Sequence, residues 1–261
     1  MRNGRSYLAS VAMVILAVSA QADNGAFAVL FNGNQDGSGS YVAVPDSDAF
    51  DLTQPFTIET WVNWDGDPSY RAYLSKPIGD EPGFVVTGVT MVVVDGFPCL
   101  ALQDVGVSRF TCASSGLSPS TWTHVAATYD GQVSTIYIDG VVSNSEDGGY
   151  VAFPGTDAEF GTSSSLLIGR EFVADLVDRT FAGTLDEVRI WNALLPADTL
   201  QAWHDRVATG AHPNAGSLVA YYQFNEGLSL NQTTQDHSHN GHDGTLMNGA
   251  TRVRSSVPLR P

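Results

Sequence analysis

The chain predicts an all-β sandwich with one short helix near the C-terminus, on three observations. Many stretches of four to nine residues alternate apolar and polar side chains, the two-residue period of strands with one buried face. Asp-Gly pairs at Asp65-Gly66, Asp95-Gly96, Asp130-Gly131 and Asp139-Gly140 punctuate them, as tight connections between antiparallel strands do. Only one stretch, 196–207, has helical spacing: Pro196 opens it, and Leu200, Trp203 and Val207 fall on one face.

In chain order, the first 22 residues read as an export signal. Arg2 and Arg5 precede an apolar run over 7–18, and Ala20-Gln21-Ala22 supplies a small-x-small cleavage pattern. The run is too short to remain as a membrane span, so stable membrane insertion is not expected. Residues 23–261 are then expected as one secreted, periplasmic or extracellular domain, large enough for a full core. Strands are expected at 41–44, 56–64, 71–75, 84–86, 90–94, 99–102, 108–112, 122–129 and 134–138, then at 166–169, 185–191, 218–224 and 244–246. Residues 144–165 form the longest expected loop. The segment 217–261 is too short to bury a core alone and is assigned to the same sandwich.

A formal net charge of −16 argues against nucleic acid and anionic membrane surfaces as partners, since both would be repelled. The chain has two cysteines, Cys99 and Cys112, flanking a predicted hairpin. In an exported protein this pair is most simply a disulfide, contributing about 3 kcal/mol in the chain-entropy model. Lys76 is the single lysine among eleven arginines.

Strand parity sorts the faces. In 56–64, Phe56, Ile58, Thr60, Val62 and Trp64 lie on one side, against Thr57, Glu59, Trp61 and Asn63. In 185–191, Asp186, Val188 and Ile190 oppose Glu187, Arg189 and Trp191. In 122–129, Trp122 and His124 oppose Val125, Ala127 and Tyr129. One face is aliphatic core; the other gathers Glu59, Trp61, His124, Glu187, Arg189 and Trp191. That second face reads either as a groove whose tryptophans stack on sugar rings, or as a surface covered by the helix and the C-terminal segment, with Arg189 paired to Glu59 or Glu187. Trp203 on the helix needs an apolar surface to dock on, which favours the covered arrangement.

Three segments, FAGTLDEVRIWNALL (181–195), FTIETWVNW (56–64) and WTHVAATYDG (122–131), together resemble the laminin-G-like jelly-roll family, a concanavalin A-like sandwich of two antiparallel sheets. The resemblance covers nearly all of 23–261. It implies a structural calcium ion closed by Asp186, with carbonyls from the segments at Asn32 and Asp51; Asn32 stands where relatives often carry aspartate, which lowers the charge of such a site. Asp186 reads alternatively as a turn residue opening its strand. Asp236, Ser238, Asn240 and Gly241 have the oxygen spacing of a calcium loop, yet Met247 stands where the bidentate glutamate belongs, so a polar turn is expected there. His237, His239 and His242 beside it are expected to be solvated.

Some members of this fold class are glycoside hydrolases, which need two carboxylates flanking the scissile bond. The Glu-x-Asp-x-x-Glu strand of those enzymes is absent. Glu59 and Glu187 could converge from separate strands, but Arg189 would hold both ionised and spoil a general acid. The expectation is a non-catalytic module that binds glycan or extracellular protein. Its candidate contacts are Trp61, Trp64, Tyr70, Arg71, Tyr150 and Phe172, most of them in or beside the loops at 65–71 and 144–165.

Overall fold

The computed structural model describes residues 26–78, 87–104, 107–147, 163–171, 179–228 and 231–260. The 1–22 export signal, the 84–86 strand, Tyr150 and Phe172 lie outside the described residues. Two antiparallel sheets stack face to face, and every strand pairing among the described residues is antiparallel. The first sheet runs β10 (Val141–Asp147), β9 (Val133–Ile138), β8 (Trp122–Tyr129), β3 (Phe56–Trp64), β12 (Ala182–Trp191), β1 (Phe27–Asn32) and β16 (Thr251–Arg254). A further strand, β13 (Leu218–Tyr222), pairs with the far half of β12. The second sheet runs β14 (Thr233–Thr234), β15 (Gly244–Met247), β2 (Tyr41–Val44), β11 (Leu166–Ile168), β4 (Arg71–Ile78), β5 (Thr87–Val94), β6 (Phe97–Asp104) and β7 (Val107–Cys112).

The predicted aliphatic faces meet between the sheets. Ile58, Val62, Val125, Ala127, Leu185, Val188 and Ile190 pack with Val42, Val44, Leu74, Val89, Met91, Leu100, Leu166 and Ile168 in one buried cluster. Two of the four Asp-Gly pairs form the two-residue turn that matches strand twist, with positive φ at both residues of Asp95-Gly96 and Asp139-Gly140. Asp130-Gly131 joins β8 to β9 with only Gly131 at positive φ, and Asp65-Gly66 instead leads from one sheet to the other. The C-terminal segment joins both sheets, since β16 pairs with β1 and β15 with β2.

Three differences from the sequence reading matter. Strands β1, β10, β14 and β16 are additional; β16, TRVR, has only one apolar side chain and no pattern to betray it. The helix, α1 (Ala197–Trp203), is shorter than the 196–207 expected, with Pro196 at its N-cap. In β12 the register slips between Asp186 and Arg189, and Glu187 takes φ 53°. This β-bulge breaks strict alternation, so Asp186 lies opposite Trp61 instead of sharing the face of Val188 and Ile190.

Candidate functional site

The tryptophan-bearing face of the first sheet is covered. Leu200 of α1, Leu195, Trp191, Ala126 and Tyr137 form a second apolar cluster on it. Trp61, expected to contact ligand, is 3% exposed and its indole N–H donates to the His204 carbonyl (3.0 Å), directly after the helix. Trp191 stacks on His212 (4.5 Å between ring centres), and Trp203 meets the same imidazole edge-on. The ligand expectation for Trp61 is therefore corrected: an apolar helix face needs a partner, and this sheet supplies it.

Beneath that cover lies a dense ion cluster. Arg189 donates to Glu187 (2.7 Å), to Glu59 (3.4 Å) and to the Arg206 carbonyl (2.6 Å), with its guanidinium 5.1 Å from the Tyr221 ring centre. Glu59 also accepts from the Trp191 indole (3.0 Å) and contacts His124 (3.1 Å), while Tyr221 donates its hydroxyl to Glu187. Burial alone would raise the Glu59 carboxyl, but Arg189, His124 and Trp191 outweigh it and pull it down to about 2. Burial pushes the His124 imidazole down. Glu59 and Glu187 thus converge, as the hydrolase alternative required, but buried and sharing a cation. A carboxylate held near 2 cannot serve as a general acid at neutral pH.

Asn32 and Asp186, both expected to hold calcium, lie apart, and Asp51 faces a side-chain cation. Asn32 lies opposite Ala182, four residues along β12 from Asp186, roughly 13 Å at ~3.3 Å per residue. The Asn32 amide oxygen faces donors, accepting from the N–H groups of Asn34 and Ser40 (3.0 Å each). Asp186 accepts from the Ser255 hydroxyl (2.5 Å) and the Glu187 N–H (2.8 Å), and burial together with the Glu187 charge raises its carboxyl. Asp51 sits 3.7 Å from the Lys76 ammonium, which also reaches Asp46 (2.7 Å) and the Ser164 carbonyl (2.5 Å). The calcium assignment to Asn32, Asp51 and Asp186 is corrected on these grounds. In the 236–241 loop, Asp236 accepts from the N–H groups of Tyr221, Ser238 and His242, so its oxygens tie a turn together. Among the described residues no cluster of three or more His, Cys, Asp or Glu side chains is arranged to hold a metal.

Two further candidates are also placed inward. Trp64 belongs to the core and is 6% exposed, its indole donating to the Asp67 carbonyl (3.0 Å). Arg71 is buried, and its guanidinium bonds to backbone and to Asp67. Both are corrected as contact residues: neither presents its functional atoms to solvent.

Tyr70 differs, and it leads to the outer face of the second sheet. Strand register defines that face as a row: Phe110 opposite Ala101, then Thr90, Ser75, Leu167, Ala43 and Thr245. The chain at 169–171 and 179–180 is pinned across it. Ser75 donates to the Arg170 carbonyl (2.8 Å), Thr90 to Glu171 (3.2 Å), and Ala72 N–H to the Arg179 carbonyl (3.1 Å). Arg179 pairs with Glu171 (2.8 Å) and lies 4.2 Å over the Tyr70 ring; Tyr70 in turn meets Phe110 edge-on at 6.3 Å. Arg170 lies 4.8 Å over Tyr41. The result is a graded cluster running from Phe110, 42% exposed, through half-buried Tyr70 and Arg179 to buried Glu171. Burial and the Glu171 charge raise the Tyr70 phenol, which stays protonated; its hydroxyl oxygen is buried, so the residue's half-buried ring is the part on this face. The Cys99–Cys112 disulfide joins directly opposed residues of β6 and β7 beneath this edge. Sequence reasoning missed Phe110, Arg179 and Glu171. Phe110 was within reach, because a residue two before Cys112 shares its face once the cysteines are paired.

A laminin-G-like family model, described as the Concanavalin A-like lectin/glucanases superfamily, matches residues 36–201. No curated protein matches the chain. Among solved structures, a candidate carbohydrate-binding protein from Bacteroides ovatus superposes with TM-score 0.64 at 20% identity, over 90% of this chain and 61% of that one. The chain thus spans about three-fifths of that protein's length. A heptameric SAP-like pentraxin from Limulus polyphemus gives TM-score 0.60 at 13% identity, over 89% and 97% of the two chains. The CBM40 of a Ruminococcus gnavus IT-sialidase, bound to α2,3-sialyllactose, gives 0.52 at 14%, over 66% and 95%. Identities this low speak for the fold. The family match spans more than half of the 261 residues and agrees with the two-sheet architecture, so this chain belongs to the concanavalin A-like lectin/glucanase superfamily.

Proposed function

We propose that the chain is an exported, non-catalytic binding module that takes glycan on the outer face of the second sheet, at Tyr70, Phe110, Arg179 and Glu171. One observation carries the reading: a partly exposed aromatic pair stands beside a forked cation and a buried carboxylate on a disulfide-braced edge. A sugar ring offers an apolar C–H face to an aromatic side chain and a ring of hydroxyls to groups that donate and accept, and this cluster has both. The carbohydrate-binding description of the Bacteroides ovatus structure and the sialyllactose on the Ruminococcus gnavus module are consistent with it. Export is supported by the Arg–apolar–small order of residues 1–22 and by the paired cysteines. No helix among the described residues is long and apolar enough to cross a membrane. The non-catalytic part rests on Glu59, Glu187 and Glu171, each engaged by an arginine. An extracellular protein partner is the second reading, favoured by Phe97 and Phe110, both exposed on β6 and β7. A glycan array on purified protein, with reducing-sugar release assayed in parallel, tests the proposal. Binding to a defined glycan set without hydrolysis is expected; release of reducing sugar, or a blank array, overturns it.

A further inference from the structure

The end of β1, one of the segments expected to supply calcium ligands, does collect oxygens, but away from Asp186 and around a different cation. Strand β1 ends at Asn32, and residues 33–40 loop back to β2, closing against Thr180: a side chain at Gly39 would clash with the Thr180 hydroxyl. Arg71 opens β4 and extends into this corner, where it is 6% exposed. One terminal nitrogen donates to the Gly33 carbonyl (2.7 Å) and the Thr180 carbonyl (3.2 Å), and the other donates to the Asp67 carboxylate. The Gln35 side-chain amide lies against both, and turned so that its oxygen faces the guanidinium it would accept from each (2.5 and 3.2 Å). Two backbone carbonyls, one carboxylate and one amide oxygen, gathered from three separate segments, are the hard-oxygen set that calcium prefers. Here they surround a planar guanidinium whose forked donors suit several acceptors at once.

We propose that Arg71 is the built-in cation of this corner: it replaces a divalent ion in an all-oxygen cage, so the fold is held there without calcium. A tethered cation cannot be chelated or diluted away, whereas a bound ion stabilises only in proportion to its free concentration. The Asp67 carboxyl, drawn down to about 2 mainly by its Arg71 bond, stays ionised to answer the guanidinium. Lys76 repeats the arrangement at the other end of β4, with its ammonium among Asp46, Asp51 and the Ser164 carbonyl. The two segments expected to supply calcium ligands, at Gly33 and Asp51, therefore each face a side-chain cation from one strand.

Terbium, a calcium surrogate whose emission is sensitised by a nearby indole, reads the cage directly, because the Trp64 indole already bonds to the Asp67 carbonyl. Arg71→Ala should gain saturable terbium emission at least tenfold above wild type. The gain should disappear in Arg71→Ala/Asp67→Asn, and competing calcium should displace it. Wild-type melting should be unmoved by EDTA or millimolar calcium, while Arg71→Ala should melt lower and recover part of the loss in calcium. If Arg71→Ala does not fold alone, refolding in calcium but not in EDTA supports the same assignment. A folded Arg71→Ala with wild-type emission, a gain that survives loss of Asp67, wild-type melting that falls in EDTA, or no refolding in either buffer overturns it.

Discussion

Replacing Arg189 with methionine keeps the side chain's length and removes its charge, and the structure fixes what should follow. Glu59 and Glu187, both 2% exposed, would lose the cation they share, and the Arg206 carbonyl would lose its donor. Breaking a buried pair by removing one partner costs about 3–5 kcal/mol, because the remaining charge is left in a low-dielectric interior. For a domain of this size each kcal/mol is worth roughly 2–4 °C in Tm, so Arg189→Met should melt roughly 6–20 °C below wild type at pH 7. Acidification gives the decisive contrast. Without Arg189 the Glu59 carboxyl loses the largest influence that offsets its burial, so its protonation between pH 7 and 5 should return part of the lost stability. Urea unfolding at both pH values, followed by tryptophan fluorescence, measures it. A deficit below 1 kcal/mol at pH 7, or one that grows as pH falls, would refute the view that these charges are buried and mutually dependent.

Three further outcomes follow from the same physics. Glu59 has its carboxyl lowered from 4.5 to about 2, so its contribution is complete above pH 4.5 and lost as pH falls toward 2; Glu59→Gln should flatten acid unfolding across that window. Asp186 has the opposite sign: its carboxyl is raised, so ionising it opposes folding as pH rises. Asp186→Asn can keep the Ser255 and Glu187 contacts without the charge, and should equal or exceed wild-type stability at pH 7 but not at pH 3. Replacing Cys99 and Cys112 together by alanine should cost up to about 3 kcal/mol in denaturant and loosen the Phe110 edge, read as faster amide exchange in β7.

Most of the architecture was legible because strand parity and Asp-Gly turns are local signals. Ile58 and Val62, Val125 and Ala127 all reach the core as their alternation predicts. Even the covering of the tryptophan face could be read, from Trp203 on a helix that had to dock. Parity failed at Glu187, where a bulge inserts a residue into β12 and carries Asp186 to the outer face; nothing in LDEVRIW announces it. With Asp186 displaced, the calcium set dissolved. The candidate contacts misled for a related reason. Trp61, Trp64 and Arg71 are residue types that serve equally well in binding and in burial, and only tertiary contacts with His204, Asp67 and Gly33 decide between the two. Arg179 and Glu171 were invisible because they lie outside any strand pattern, and the places of 169–171 and 179–180 depend on bonds from the Ser75 hydroxyl and the Ala72 N–H.

Calorimetric titration of wild type, Phe110→Ala and Arg179→Ala with the tightest-binding glycan found on the array tests the central claim most directly. Residues that anchor an interface cost more than about 1.4 kcal/mol on truncation, a factor of ten or more in Kd. The account predicts at least a tenfold loss for each variant. Phe110→Ala should keep its melting temperature within a few degrees because the ring is partly exposed, while Arg179→Ala, which leaves the buried Glu171 carboxylate without its cation, should melt lower but remain folded. Unchanged affinity in both folded variants would contradict it and place the ligand elsewhere on the sandwich.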